Sequence, residues 1–149
     1  MNFFLVRHGE AKSDLEDMRR PLSARGRLDV EKIARAAAAK KFEVSEILHS
    51  DKLRAKQTAE ILARFLAPAA GVRQIAGLAP EDDPMFVKAE LDAADASLML
   101  VGHLPHLGRL AALLVTNDSE REVAHFSPAT MICLARGAAA WRLRWTLAP

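Results

Sequence analysis

Short apolar runs alternate with amphipathic stretches along most of this chain. Phe3-Phe4-Leu5-Val6 is apolar without interruption, as expected of a strand buried on both faces, and predicts a strand over 2–6. A loop follows to about Leu22. Val30, Ile33, Ala34 and Ala37 then recur at helical spacing and predict a helix over 25–40, with Ser23 as its N-terminal cap. Ile47-Leu48 marks a strand over 46–49. Thr58, Ile61, Leu62 and Phe65 fall at i, i+3, i+4 and i+7, so a helix is predicted over 53–66, capped by Ser50 or Asp51. A strand over 72–76, a loop holding Pro80 and Pro84, and a helix over 85–94 come next. Ser97-Leu98-Met99-Leu100 opens a strand over 97–101, and Leu107, Leu110, Ala111 and Leu114 give a helix over 106–115. Two final strands, 131–135 and 140–146, are separated by Gly137 and form a hairpin. Strands that alternate with helices predict an α/β fold. Its three layers are α/β/α, around a mostly parallel sheet of about six strands, with at least one antiparallel strand near the C-terminus.

Three of the predicted strands end on residues of matching chemistry. Arg7-His8-Gly9 follows the first strand, His49-Ser50-Asp51-Lys52-Leu53-Arg54-Ala55-Lys56-Gln57-Thr58-Ala59 the second, and Gly102-His103-Leu104-Pro105 a later one. In an open parallel sheet, ligands bind at the carboxyl ends of the strands. Arginine presents a fixed fork of donors matched to phosphate. Neutral histidine can attack phosphorus. Gly9 would let backbone approach a ligand closely. Arg54 falls in the first turn of its helix, where backbone donors and the helix dipole favour an anion.

Composition narrows the function classes. The chain has 149 residues, one domain's worth, and 50% of them are hydrophobic. No apolar stretch approaches the ~18 residues that span a bilayer. The N-terminus carries no basic segment or cleavage site, and the single Cys133 cannot form an internal disulfide, so a cytoplasmic protein is expected. Cys133 lies in an apolar run and is read as a small buried hydrophobe. The net charge of +2 is mild, and aromatic residues are not interleaved with basic ones. Neither nucleic acid nor membrane is expected as a partner.

The motifs R-H-G, S-x-x-x-R-A-x-Q-T-A and G-H-x-P, in this order from Leu5 to Pro105, resemble those of the histidine phosphatase superfamily, also called phosphoglycerate mutase-like. The short chain and Arg20-Pro21-Leu22-Ser23-Ala24-Arg25-Gly26 resemble its small bacterial phosphohistidine phosphatase branch. Phe126-Ser127-Pro128-Ala129-Thr130, followed by Met131-Ile132-Cys133-Leu134, suits the same branch. The resemblance implies that His8 attacks phosphorus and forms a phosphohistidine that water hydrolyses. It implies that Arg7, Arg54 and His103 surround the phosphoryl oxygens, with Gly9 and Arg20 as further substrate contacts. No metal or other cofactor is implied, because the arginines supply positive charge. His8 must then be neutral, with one ring nitrogen held by a backbone carbonyl in the loop after it.

Blander readings stand beside these. Arg54 could pair with Asp51 or Glu60, and Arg20 could be a solvated surface cation. His103 and His106 are spaced as metal ligands could be, but Pro105 and the lack of a carboxylate or thiolate cluster argue against zinc. His49 and His125 are read as structural. Glu81, Asp82 and Asp83 are the candidates for a general acid, against a plainer role capping the helix that follows. The substrate is read as a phosphorylated protein bearing phosphohistidine, whose nitrogen can be protonated from water. The alternative is a small phosphate ester, such as a sugar or nucleotide phosphate. A non-catalytic phosphate-binding module is the non-enzymatic rival, and the reading favours a monomer.

Overall fold

The computed structural model describes residues Met1–Pro149. Its elements are β1 (Asn2–Arg7), α1 (Ala24–Ala39), β2 (Glu46–His49), α2 (Leu53–Leu66), β3 (Val72–Gln74), α3 (Pro84–Ala93), β4 (Leu98–Gly102), α4 (His106–Thr116), β5 (Met131–Ala135) and β6 (Arg142–Leu147). The six strands form one sheet in the order β3-β2-β4-β1-β5-β6. The first four neighbours are parallel, β5 runs antiparallel to β1, and β6 runs antiparallel to β5. The expected α/β fold with an antiparallel strand near the C-terminus is therefore the observed one.

The apolar strands divide their side chains between two cores. Phe4 and Val6 of β1, with Met99 and Val101 of β4, pack under α1 and α2. Phe3 and Leu5, with Leu100, pack under α3 and α4. Both faces are covered, which is why β1 and β4 are continuous apolar runs rather than alternating ones. The antiparallel hairpin adds a refinement. Between β5 and β6 the register shifts, so that Cys133 faces Trp145 while its neighbour Leu134 faces Leu143. This bulge lets Trp145 join one core and Leu143 the other, although two residues apart on a regular strand they would share a face.

Element ends differ from expectation in places that have local causes. The strand β6 starts at Arg142, two residues late, because Gly137 and Ala140 close a tight turn: a Cβ on Gly137 would sit 2.3 Å from the Ala140 carbonyl. The cap of α2 is Lys52, with no side-chain hydrogen bond, rather than Ser50 or Asp51. Ser50 is committed elsewhere, as the site shows. Ser23 does cap α1, accepting from the Gly26 amide at 3.0 Å. The C-terminus of α3 is held by Arg136, whose guanidinium donates to the carbonyls of Leu91 and Ala94 and lies over the Phe3 ring.

The loop after β1 meets α1 through two glycines. A Cβ on Gly26 would lie 2.0 Å from the Glu10 carbonyl oxygen, and one on Gly9 would lie 2.7 Å from Val30 Cγ2. Gly26→Ala should therefore cost about 1–3 kcal/mol or more, because the obstacle is backbone and cannot rotate away. Leu28→Ala on the solvent side of the same helix should stay within about 0.5 kcal/mol. Urea unfolding of the two variants checks this, and equal stability of the two would contradict the close-contact account.

Candidate active site

Three adjacent parallel strands deliver their next residues to one place. Arg7 of β1 pairs with Gly102 of β4, and His49 of β2 pairs with Val101. The residues one step beyond are His8, His103 and Ser50. The His8 amide donates to the Gly102 carbonyl at 3.0 Å, and the Ser50 amide to the Val101 carbonyl at 3.3 Å. The His8 and His103 rings consequently stand with centroids 4.9 Å apart. Arg54 enters from the first turn of α2 and Arg7 from the end of β1. Arg20 enters from the excursion between β1 and α1, whose base is the bridge of Ala11 to Leu22. The charges of Arg54, Arg7 and Arg20 all bear on His8.

The nucleophile candidate is preset by its neighbours. His8 Nδ1 lies 2.7 Å from the Gly9 carbonyl oxygen. A carbonyl only accepts, so the neutral ring carries its proton on Nδ1 and presents a lone pair at Nε2. Burial, with His8 at 9% exposure, pushes its pKa down to about 4, the Gly9 carbonyl opposing and the three arginines assisting. His103, 2% exposed, is pushed down to about 3, first by burial and then by His8 and Arg54. Both rings are neutral at pH 7. Positive charge in the site therefore resides on the guanidinium groups and on Lys52, whose field reaches His103, and burial lowers the pKa of Arg7 and Arg54 without discharging them. Arg7 is braced by donating from Nη1 to the Phe126 carbonyl at 2.8 Å. The Nε atoms of Arg7 and Arg54 are buried without a partner in the protein.

Gly9 has a packing reason to be small. The space a Cβ would take is filled by Val30 and Leu22, so its small size admits α1. Its amide donates to Thr58 Oγ1 at 3.1 Å, and Thr58 in turn donates to the Arg54 carbonyl at 2.8 Å. Gln57 Oε1 accepts from the Leu22 amide at 2.7 Å and so anchors the excursion that carries Arg20. Gln57, Thr58 and Ser50 were not singled out from the sequence as site residues. Their signal was present, since all three lie inside the S-x-x-x-R-A-x-Q-T-A motif.

The acidic loop stands apart from these groups. Asp82 accepts from the Ala79 amide at 2.9 Å, and Asp83 caps α3 by accepting from the Met85 amide at 3.0 Å. Glu81 is exposed. The fields of Asp82 and Asp83 reach His106. Both also line a cleft of about 680 Å³ between β3 and α3, which contains none of the arginines or histidines above. His49 is buried and bonded through Nδ1 to the Ser50 carbonyl, and His125 is exposed.

Two buried imidazoles beside three arginines form a site suited to an anion. The model of the histidine phosphatase superfamily (branch 1) matches residues 3–79. Phosphohistidine phosphatase SixA of Escherichia coli (strain K12) is 32% identical over 124 residues, covering 80% of this chain and 77% of that protein. An uncharacterised protein of Picosynechococcus sp. (strain ATCC 27264 / PCC 7002 / PR-6) is 37% identical over 147 residues, 93% of this chain and 87% of its own. The solved structure of the protein histidine phosphatase SixA complexed with tungstate superposes with a TM-score of 0.89 at 27% identity, covering 100% of this chain and 97% of that one. The chain belongs to the histidine phosphatase superfamily and is a phosphatase.

The depressed pKa values have a measurable consequence. Both folded-state histidines titrate below the 6.5 of a free imidazole, so below that pH the unfolded chain binds protons that the folded chain refuses. Stability contributed by these groups is complete above about pH 6.5 and drains as pH falls through about 4. An NMR titration of the free protein should show His8 ionising at about 4. His8→Ala should flatten the loss of Tm between pH 6.5 and 4. A His8 midpoint near 6.5 would refute the account.

Proposed function

We propose that this chain hydrolyses phosphohistidine carried on a protein, by a metal-independent route through His8. The observation that carries the proposal is the neutral His8 ring, its Nδ1–H given to Gly9 and its Nε2 free, beneath three arginines. His8 Nε2 attacks phosphorus in line. The Nε2–P bond forms as the bond to the leaving nitrogen breaks, and that nitrogen takes its proton from water. A second water then attacks phosphorus, the Nε2–P bond breaks, and phosphate leaves with His8 restored. Arg7, Arg54 and His103 hold the phosphoryl oxygens through both steps, and Arg20 guards the mouth. Charge spread over those oxygens is met by fixed guanidinium groups, the main source of rate in phosphoryl transfer.

The substrate class follows from the leaving group and the rim. An alkoxide leaving group needs a positioned acid. Asp82 and Asp83 are occupied by backbone amides and their charges act on His106, which speaks for a leaving group that can do without one. Leu15 and Met18 are 95% and 89% exposed on the same excursion that carries Arg20. Two large apolar side chains exposed on the segment that brings Arg20 toward His8 suit a protein surface better than a small ester.

His8→Ala should abolish turnover of a phosphohistidine protein with little change in Tm. Arg54→Ala should raise KM and lower kcat together, since the clamp tightens in the transition state. A panel that adds sugar phosphates, nucleotides and p-nitrophenyl phosphate tests the class. Efficient cleavage of sugar phosphates, with a loss of about 10²–10⁴-fold in the Glu81→Gln, Asp82→Asn or Asp83→Asn variant, would make the enzyme a small-ester phosphatase. The double variant Leu15→Ser with Met18→Ser should raise KM for the phosphoprotein and leave p-nitrophenyl phosphate kinetics unchanged. Equal effects on the two substrates would remove the rim from the account.

A further inference from the structure

We propose that Ser50 is a positioning residue whose hydroxyl donates to Nε2 of His103, holding that ring in the tautomer that keeps its proton on Nδ1 for a phosphoryl oxygen. The proposal rests on His103 being a phosphoryl contact and adds what aims it. Ser50 is 1% exposed, and its Oγ lies 2.6 Å from His103 Nε2. The same Oγ accepts from the Lys52 amide at 3.3 Å. These are its two partners. Were the ring the donor, Oγ would face two donors and its own proton would be buried without an acceptor. Leaving a buried donor unpaired costs about 1–3 kcal/mol. With Ser50 as donor, the hydroxyl is matched on both sides, and the one group left open is Nδ1 of the ring. A neutral imidazole with an acceptor at Nε2 must carry its hydrogen at Nδ1. Nδ1 is buried with no partner in the protein, on a ring 4.9 Å from that of His8. It is thus a donor held beside the nucleophile and left free for the ligand.

The arrangement also explains the missing cap of α2. The side chain at the turn before the helix is turned toward β4 instead of wholly toward the helix amides, so α2 begins at Leu53 without a side-chain cap from Lys52. His8 and His103 are then oriented by opposite devices. A carbonyl fixes the proton of His8 away from phosphorus, and a hydroxyl fixes that of His103 toward it. One ring is made a nucleophile and the other a donor.

Nitrogen-15 NMR of histidine-labelled protein, with and without tungstate, tests this on the whole chain. The wild type should show His103 protonated at Nδ1 and not at Nε2, and tungstate should perturb Nδ1. Ser50→Ala should lose the tautomer preference and bind tungstate about ten- to a hundredfold more weakly, the loss of one hydrogen bond to a charged group. Ser50→Thr, which keeps the hydroxyl, should retain both properties. A wild-type ring protonated at Nε2 would overturn the proposal whatever the variants do. So would wild-type tautomer and tungstate affinity in a folded Ser50→Ala protein. Turnover plays no part in these readouts, so an inactive wild type would count against the phosphatase reading and not against the tautomer assignment.

Discussion

The parallel register of β2, β4 and β1 is the constraint on which the rest of the molecule depends. Pairing of His49 with Val101 and of Arg7 with Gly102 brings three strand ends level. Because side chains alternate along a strand, a slip of one residue in either pair would carry His8 or His103 to the opposite face. The two cores forbid that slip. Phe4, Val6, Met99 and Val101 belong under α1 and α2, and Phe3, Leu5 and Leu100 belong under α3 and α4. Burial of apolar surface thus fixes, to within one residue, the spacing of polar groups that contribute nothing to that burial.

The helix α2 extends this control from the sheet to the loops. Its first turn supplies Arg54. Gln57 holds the Leu22 amide, Thr58 holds the Gly9 amide, and Ser50 just before it meets His103. A chain of hydrogen bonds therefore runs from the Arg54 carbonyl through Thr58 and Gly9 to the His8 ring. Arg54 and His8 are parts of one braced unit. Such bracing is what holds reacting groups within a few tenths of an ångström of productive geometry.

Much of this was legible before any coordinates. The uninterrupted run Phe3 to Val6 announced a strand covered on both sides, and helical spacing located all four helices to within about two residues. Arg7, His8 and His103 were visible because they stand within two residues of a hydrophobic run, and Arg54 because it falls in the first turn of the next helix. What stayed hidden were relations between distant residues. Gln57 reaches back 35 positions to Leu22, and Thr58 reaches back 49 to Gly9. Periodicity carries no information about such contacts. The packing of Gly9 was hidden for the same reason: a Cβ there would meet Val30 of a later helix. The β5–β6 bulge was equally silent, because one displaced residue leaves no mark on composition.

That bulge bears on how the molecule behaves in a crowd. An open sheet ends in two strands whose outer amides and carbonyls are unpaired, and a regular edge is a template onto which another chain can add. Here one edge is β3, only three residues long. The other is β6, kinked opposite Cys133 and Leu134 and studded with the exposed Arg142 and Arg144. Brevity at one side, and irregularity with like charges at the other, leave little straight edge to copy. The same displaced residue that shares Leu143 and Trp145 between two cores also guards the sheet against aggregation.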